Sequence, residues 1–359
     1  MAMKEFEIGP IRPPSEGGSF SILIRATRNC PWSRCTFCYG TLYNREKFSM
    51  RPVDEIKEDI DIVKKISDDI RRTSEELGYG GVVNETVGAE MIKKNPELNY
   101  SQSFVNVFNW LLSGGRTVFI QDADSLIMKT RDLAEVIRYL KKTFPDIERI
   151  TSYARSRTVA KKSLEEIKEL KEAGLSRLHI GLESGDEEVL KYVKKGATPE
   201  DHIDAGRKVM DAGIELSEYV MPGLGGKDLS EKHARNTARV LNEIDPHFIR
   251  SRPLVPRHGT PLFEEYEKGN FKLLSPHELL REIRMLIEDL EVNSRICFDH
   301  MMNPSYVSGT WIVPLFDQDY EGYKLPDEKE HLLEIIEQGL KIKESRYISS
   351  KDLISRPHL

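Results

Sequence analysis

Short apolar runs alternate along the chain with longer segments in which apolar residues recur every three or four positions. The short runs are typical of buried strands, and the longer periodic segments predict amphipathic helices. The predicted strands are 21–25, 117–121, 149–153, 177–180, 215–221 and 247–253. The predicted helices are 52–77, 101–112, 130–143, 163–173, 199–212, 230–244, 275–290 and 327–342.

Six strand–helix repeats predict the α/β class and match a partial (β/α)6 TIM-like barrel with a C-terminal helical or irregular extension. The predicted organisation is an N-terminal lead-in over 1–20, the barrel over 21–255, and an extension over 256–359 that packs on the barrel. Residues 78–100 interrupt the first crossover. Their Gly-Tyr-Gly-Gly run lacks the Lys-Ser/Thr of a phosphate loop, so it predicts a turn.

Composition and charge narrow the classes of protein that the chain can be. With 359 residues it is long enough to bury one large core. No apolar run is long enough to span a bilayer, and the N-terminus lacks an apolar signal region, so we expect a cytoplasmic protein without a membrane partner. A formal net charge of −6 argues against a nucleic-acid partner, since proteins that bind nucleic acid usually carry an excess of basic residues.

Three of the four cysteines, Cys30, Cys35 and Cys38, lie within nine positions that follow the first predicted strand. Thiolates are ligands for soft metals, and three of them can hold a 4Fe-4S cluster while one iron stays open for another ligand. A structural zinc site needs a fourth ligand, which His300 or Cys297 would have to supply by folding close. Disulfides or inert buried thiols would leave the crowding of the three cysteines without a cause.

The stretch resembles the signature loop of the radical S-adenosylmethionine (radical SAM) superfamily. Its pattern Cys-Pro-Trp-x-x-Cys-x-Phe-Cys, with Cys-x4-Cys-x2-Cys spacing, is similar to a small branch of that superfamily. The segment around Glu183 resembles the catalytic domains of oxygen-independent coproporphyrinogen dehydrogenases and tRNA methylthiotransferases, and the loop that begins at Met221 resembles a strand-end loop of the superfamily. The resemblance implies that the open iron binds the amino and carboxylate groups of S-adenosylmethionine (SAM). One electron then yields a 5'-deoxyadenosyl radical.

The same resemblance implies positions for the SAM-binding residues. Aromatic contacts are expected from Phe37 and Tyr39, and a further apolar contact to adenine from Met221. Asp122 and Asp124, at the end of the second predicted strand, are expected to accept hydrogen bonds from the SAM ammonium group, with a helix N-cap as the alternative. Glu183 is expected to bind SAM and Lys195 to pair with its carboxylate. Ser152 and Arg155 are expected to contact the SAM ribose or carboxylate, or an anionic substrate, with a solvated surface arginine as the alternative for Arg155.

Two C-terminal features complete the candidate site. Asp299-His300-Met301-Met302-Asn303 is similar to a stretch in the related branch, and we expect it to close the barrel mouth. His300 would there donate a hydrogen bond or transfer a proton, with plain packing as the alternative. Cys297 is isolated from the other cysteines, which favours a buried structural thiol.

The sequence therefore predicts an oxygen-sensitive radical SAM enzyme with two cofactors, a 4Fe-4S cluster and SAM. Its radical abstracts hydrogen from a substrate that the sequence does not identify. A reductant such as ferredoxin or flavodoxin is the expected partner. The alternative is a non-catalytic iron-sulfur protein that transfers electrons or acts as a sensor.

Overall fold

The computed structural model describes residues 4–10, 20–38 and 47–355. The strands in these ranges are β1 (Ile22–Arg25), β2 (Thr27–Arg28), β3 (Ser49–Met50), β4 (Thr117–Gln121), β5 (Arg149–Ala154), β6 (Arg177–Glu183), β7 (Glu215–Val220), β8 (Phe248–Ser251), β9 (Arg295–Cys297), β10 (Ser305–Ser308), β11 (Trp311–Pro314) and β12 (Tyr323–Lys324). The helices are α1 (Val53–Glu76), α2 (Glu85–Lys94), α3 (Gln102–Leu112), α4 (Thr130–Thr143), α5 (Ser156–Ala160), α6 (Leu164–Ala173), α7 (Glu187–Tyr192), α8 (Pro199–Asp211), α9 (Gly226–Ile244), α10 (Pro261–Glu267), α11 (Pro276–Asp289), α12 (Lys329–Lys341) and α13 (Ser350–Ile354).

The six predicted strands are present as β1 and β4 to β8, with ends that shift by up to three residues. The predicted helices are also present, as α1, α3, α4, α6, α8, α9, α11 and α12. The 78–100 insertion contains one additional helix, α2. The extension contains four short strands, β9 to β12, that the helical or irregular prediction for this region did not include.

The chain divides into two compact units. The first comprises Met1–Pro31, Glu46–Ala154 and Glu165–Leu178, and the second comprises Trp32–Arg45, Arg155–Leu164 and His179–Leu359. The predicted borders at residues 20 and 255 stay a prediction.

In the first unit, β1, β4 and β5 pair in parallel. Leu23 lies opposite Phe119, and Phe119 lies opposite Thr151. All four residues of β1 are buried, as expected for a strand covered on both faces. Helix α1 packs against α3 and α4 through an apolar stripe. The buried members of that stripe are Ile56, Ile60, Val63, Ile66 and Ile70.

In the second unit, β7, β8 and β9 are parallel neighbours, and β12 pairs with β9 in the antiparallel direction. Tyr219 lies opposite Arg250, which in turn lies opposite Cys297. The C-terminal ends of these parallel strands therefore lead into loops at one edge, the place where α/β folds carry their chemistry. Strands β10 and β11 form a separate antiparallel hairpin in the extension.

Helix starts in the second unit follow capping rules that the sequence makes visible. Thr198 and Asp201 form a capping box at α8, and Ser275 and Glu278 form another at α11. Both helices also begin with proline, whose fixed φ suits the first turn. Within the described part of the chain, no helix combines the length and apolar character that a membrane crossing requires.

Candidate functional site

The cysteine stretch begins with a sharp turn after β2. Asn29, the residue before Cys30, has a φ of 65°, a left-handed conformation that asparagine adopts more readily than most residues. Its side-chain oxygen accepts a hydrogen bond from the Cys30 amide at 2.6 Å. Asn29 is buried, whereas Cys30 keeps part of its surface exposed. The turn is thus fixed by asparagine chemistry and leaves the first cysteine accessible.

Asp122, at the end of β4, holds this turn in place. Its Oδ2 atom accepts hydrogen bonds from the Asn29 amide at 3.2 Å and from the Arg25 guanidinium at 3.0 Å. Asp122 is fully buried, so both contacts are made away from water, where a charge-assisted hydrogen bond is stronger. Asp122 therefore positions the start of the cysteine stretch, and its predicted contact with SAM stays a prediction.

Three arginines around the cysteine stretch converge on one carboxylate, an arrangement that the sequence prediction missed. Arg25, Arg28 and Arg51 lie 2.9, 2.6 and 3.3 Å from the Glu7 carboxylate. Burial raises the pKa of Glu7, but the three guanidiniums outweigh it and the pKa is lowered. Glu7 belongs to the predicted lead-in, so part of that segment is bonded to the strand that delivers the cysteines. The three arginines close to the cysteine stretch were the signal in the sequence that a carboxylate lies nearby.

The other predicted contacts in the first unit are buried near the strand ends. Asp124 is fully buried, and Lys129 rather than an acidic residue occupies the N-cap of α4. The Ser152 hydroxyl donates a hydrogen bond to the Ile120 carbonyl at 3.1 Å. Tyr39 lies outside the described residues. The SAM contacts of Asp124, Ser152 and Tyr39 remain predictions.

In the second unit, the segment from Cys35 to Cys38 is attached to two other elements. The Thr36 amide donates to the Val193 carbonyl at 2.9 Å, and the Leu262 amide donates to the Thr36 carbonyl at 3.1 Å. Cys35 is buried, with its Sγ atom 3.9 Å from the Lys195 carbonyl, and Cys38 is partly exposed. Backbone hydrogen bonds thus fix the position of both cysteines.

Lys195 and Glu183, both predicted SAM contacts, form a buried ion pair. The Nζ and Oε1 atoms are 2.9 Å apart, and the two side chains are only 11% and 13% exposed. Burial lowers the pKa of Lys195, but the Glu183 carboxylate and the Cys35 thiolate outweigh it and the pKa is raised. The ammonium group is therefore charged at neutral pH and lies within electrostatic reach of a predicted cluster ligand. Glu183 also accepts the Met221 amide through its carbonyl at 3.0 Å.

Trp32, inside the Cys-Pro-Trp motif, contacts two guanidiniums with its ring. Arg34 and Arg155 lie over its ring at 5.0 and 5.2 Å from the centroid. The indole N–H donates to the Lys194 carbonyl at 2.7 Å, and Arg155 donates to the Lys195 carbonyl at 2.9 Å. The predicted site residue Arg155 thus supports the turn that carries Lys195. The sequence analysis included Trp32 in the motif but did not predict these contacts.

Phe37 and Met221, the predicted adenine contacts in the second unit, lie against one apolar cluster. The sequence places them far apart, so their meeting is a finding of the structure. The buried residues of this cluster are Val189, Val193, Leu224, Leu254, Leu262 and Phe271. An apolar surface of this kind suits the face of an aromatic ring.

His300 lies in the extension and is partly exposed. Its Nδ1 atom accepts the Met302 amide at 3.2 Å. Burial, followed by the positive charge of Arg252, lowers the pKa of His300 to about 4, so the imidazole is neutral at pH 7. The Cys297 thiol is buried and donates to the Tyr320 carbonyl, and burial raises its pKa to about 12. Such a thiol is a poor metal ligand, in agreement with the structural role predicted for it.

Glu218 in β7 is a buried carboxyl that the sequence prediction did not single out. Its side chain is fully buried. Burial is the main reason that its pKa is raised well above the ordinary value, and the charge of Lys195 opposes the shift. A charged residue inside the otherwise apolar and hydroxyl-bearing run 216–221 was the available signal.

The donor set fits an iron-sulfur cluster. All four cysteines lie within the described ranges and none is in a disulfide, and Cys30, Cys35 and Cys38 are soft ligands presented by one short stretch. Within residues 4–10, 20–38 and 47–355, no three His, Cys, Asp or Glu side chains converge on one metal-ion position. A 4Fe-4S cube distributes its thiolates over different irons, so its ligands need not share a single centre.

Residues 102–238 match the family model of the Radical SAM superfamily. The predicted resemblance to the radical SAM superfamily is confirmed over these residues. The predicted fold class, a partial (β/α)6 barrel of the radical SAM type, is confirmed. The 4Fe-4S cluster and SAM are the cofactors of this superfamily, so the predictions of an enzyme and of these cofactors are confirmed at the level of the family.

Named relatives match parts of this chain. A tRNA uridine(34) acetyltransferase from Methanocaldococcus jannaschii is 28% identical over 120 residues, or 33% of this chain and 22% of that protein. A tRNA-2-methylthio-N(6)-dimethylallyladenosine synthase from Ehrlichia canis is 29% identical over 161 residues, or 42% of this chain and 35% of that protein. The solved Elp3 of Methanocaldococcus infernus is 19% identical with a TM-score of 0.43, over 62% of this chain and 54% of that chain. The chain spans only about a fifth to a third of the length of these curated relatives.

Proposed function

We propose that this radical SAM protein cleaves SAM reductively and uses the resulting radical to abstract hydrogen from a substrate. The observation that carries the proposal is the set of three cysteines outside any disulfide, Cys30, Cys35 and Cys38, in a chain with a radical SAM domain. Three thiolates leave one iron open for the amino and carboxylate groups of SAM. A bound cluster would supply one electron for cleavage of the SAM carbon–sulfur bond, which gives methionine and a 5'-deoxyadenosyl radical.

In this proposal Lys195 supplies the positive charge of the site. Its pKa is raised by Glu183 and by the Cys35 thiolate, so the ammonium stays protonated. A permanent positive charge beside Cys35 offsets part of the negative charge of the thiolates and attracts the SAM carboxylate. Glu183 orients the ammonium by their 2.9 Å ion pair, and Arg155 holds the Lys195 carbonyl.

The remaining proposed contacts to SAM are apolar contacts to adenine and polar contacts to the ammonium and ribose groups. Phe37 and Met221 bind the adenine ring against the cluster that they share, and Tyr39 adds an aromatic contact. Asp124 and Ser152 contribute polar atoms toward the ammonium and ribose groups, while Asp122 also holds the turn before Cys30. These roles rest on the resemblance of the motifs.

His300 and the physiological partners belong to the proposal as well. A neutral His300 imidazole is able to donate or accept a hydrogen bond to substrate without charge. Ferredoxin or flavodoxin would supply the electron in the cytoplasm.

The test is anaerobic reconstitution with iron and sulfide, followed by dithionite and SAM and by chromatography of 5'-deoxyadenosine. The wild-type chain is expected to bind iron and form this product, whereas Cys35→Ala is expected to lose both. Cys297→Ala is the matched control, because it also removes a buried cysteine but one with a raised pKa, and it is expected to keep both. Product no greater than in Cys35→Ala would contradict the proposal, and bound iron without product would favour an electron carrier or sensor.

We further propose tRNA as the first substrate class to test. The names of two relatives refer to tRNA. They do not support the expectation against a nucleic-acid partner, which was based on the net charge of −6. Intact tRNA is expected to increase the rate of 5'-deoxyadenosine formation. The same tRNA after ribonuclease digestion is the control, and equal rates with both would count against a tRNA substrate.

A further inference from the structure

Two strand-end loops of the second unit, each next to a proposed SAM contact, meet buried polar side chains from helices α9 and α11. The first loop begins at Ser184, directly after Glu183 at the end of β6. The second follows β7, and we call its residues 221–225 the Met221 loop. Helix α9 contributes His233 and helix α11 contributes Glu282, and these two side chains are only 4% and 2% exposed.

The imidazole ring of His233 joins the two loops. Its Nε2–H group donates to the Met221 carbonyl at 3.0 Å, and its Nδ1 atom accepts from the Ser184 hydroxyl at 2.8 Å. A carbonyl oxygen can only accept, so Nε2 carries the hydrogen, and in the neutral ring Nδ1 is then the acceptor. The Ser184 hydroxyl also accepts the Asp186 amide at 3.1 Å. One side chain thus connects the end of β6 with the end of β7.

Further hydrogen bonds hold each loop to its helix. The Glu282 carboxyl accepts the Gly223 amide at 2.6 Å and also accepts from the Ser230 hydroxyl. On the other loop, the Gly185 amide donates to the Thr237 hydroxyl of α9 at 2.9 Å. Breaking such a buried hydrogen bond leaves a polar atom unsatisfied, which is costly. The helices therefore fix the backbone of both loops.

His233 and Glu282 act on the loops and not on a ligand. Both ring nitrogens of His233 are bonded within the protein, and both oxygens of Glu282 accept hydrogen bonds from the Met221 loop or α9. Burying such polar groups costs desolvation. Hydrogen bonds have a preferred distance and direction, whereas apolar contacts do not. The bonded loop atoms are therefore held more closely in place than apolar packing alone would hold them.

We propose that His233 and Glu282 are positioning residues that set the place of the Met221 loop relative to Glu183, and thereby the affinity of the site for SAM. His233 holds the carbonyl of the same residue whose side chain is the proposed contact to adenine. Displacement of that carbonyl would move this apolar contact relative to Glu183. A misplaced contact contributes less to binding, because affinity depends on how well the site is preorganised. The identity of the ligand as SAM rests on the proposed function.

The test is calorimetric titration of the reconstituted full-length protein with SAM in the absence of reductant. His233→Asn places an amide near the position of Nδ1, where it does not reach the Met221 carbonyl, and is expected to weaken SAM binding by about threefold to tenfold. His233→Gln keeps an N–H donor near the position of Nε2 and is expected to bind SAM within about twofold of the wild type. His277→Asn is the control, because His277 also bonds a backbone carbonyl through Nε2, that of Ile342 in the extension. Its SAM affinity is expected to be unchanged.

Variants of Glu282 make the same comparison and keep the test independent of whether His233→Asn folds. Glu282→Gln keeps an acceptor for the Gly223 amide, whereas Glu282→Leu removes it. We therefore expect Glu282→Gln to bind SAM nearly as tightly as the wild type and Glu282→Leu to bind it more weakly.

A purely structural role predicts lower stability in urea with unchanged SAM affinity. Unchanged affinity in His233→Asn and Glu282→Leu, or equal losses in His233→Asn and His233→Gln, would overturn the proposal. No SAM binding by the wild type would overturn this proposal and the proposed function together. Wild-type protein that binds SAM but forms no 5'-deoxyadenosine after reduction would contradict the proposed function alone.

Discussion

The Glu183–Lys195 ion pair allows a quantitative test of how burial determines the strength of an ion pair. Glu183→Gln removes the carboxylate and leaves the Lys195 ammonium charged and only 11% exposed. Removing one partner of a buried ion pair costs about 3–5 kcal/mol, because the other charge is left without compensation. We therefore expect Glu183→Gln to lower the free energy of unfolding by about that amount.

The chain contains a matched pair at the surface. Glu188 and Lys232 are also 2.9 Å apart, but their side chains are 61% and 62% exposed. Residue types and distance are the same, so burial is the main difference between the two pairs. Exposed pairs are weak because water screens them, and Glu188→Gln is expected to leave stability nearly unchanged. The double variant Glu183→Gln/Lys195→Met is expected to recover most of the loss.

The measurement is urea unfolding under anaerobic conditions, followed by circular dichroism for the wild type and the variants. The pH dependence has a defined sign. The pKa of Lys195 is raised above its ordinary 10.5, so the contribution of the pair is complete below that value and is lost as the pH rises through the folded-state pKa. The comparison is therefore made at neutral pH, where the wild-type contribution of the pair is complete. A deficit no larger than that of Glu188→Gln would refute the reasoning.

Two further predictions concern single buried positions. Because burial raises the pKa of Glu218 above its ordinary 4.5, the folded state loses stability as the pH rises from 4.5 through the raised pKa. Glu218→Gln should therefore melt at a higher temperature than the wild type near neutral pH and at a similar temperature near pH 4.5, and a pH-independent difference would contradict this explanation. Gly196 and Gly213 both have a φ of 70°, but only at Gly196 would an added Cβ meet a side chain, the Trp32 ring at 2.4 Å. Gly196→Ala should lower stability by about 1–3 kcal/mol more than Gly213→Ala in the same denaturation assay, and equal losses would mean that Trp32 yields freely.

The strand–helix repeats were predictable because their signals are local. The apolar run of β4 and the periodic stripe of α4 each lie within one short window of sequence. Helix α2 was missed because its interior contains Gly88. An added Cβ at this position would meet the Phe108 ring at 2.6 Å, a restriction that appears only in the folded chain. The strands of the extension were missed because β11 is mostly exposed and lacks the alternation of a half-buried strand.

The candidate site shows the same division between local and distant information. Cys30, Cys35 and Cys38 are recognisable because their spacing is itself the signal. The pairing of Arg250 with Asp299 joins residues 49 positions apart, and nothing in either neighbourhood indicates the partner. The meeting of Phe37 and Met221 at one apolar cluster is likewise a consequence of folding.

The attachment of the segment from Trp32 to Cys38 has a consequence for how the protein acquires iron. Hydrogen bonds join this segment to other parts of the second unit through the Trp32 indole and through the Thr36 amide and carbonyl. The loss of conformational entropy of this segment therefore occurs when the protein folds, before a metal binds. The Cys35 and Cys38 thiols are therefore positioned before iron binds, and iron binding is not required to order this segment. We expect the iron-free chain to accept a preassembled cluster.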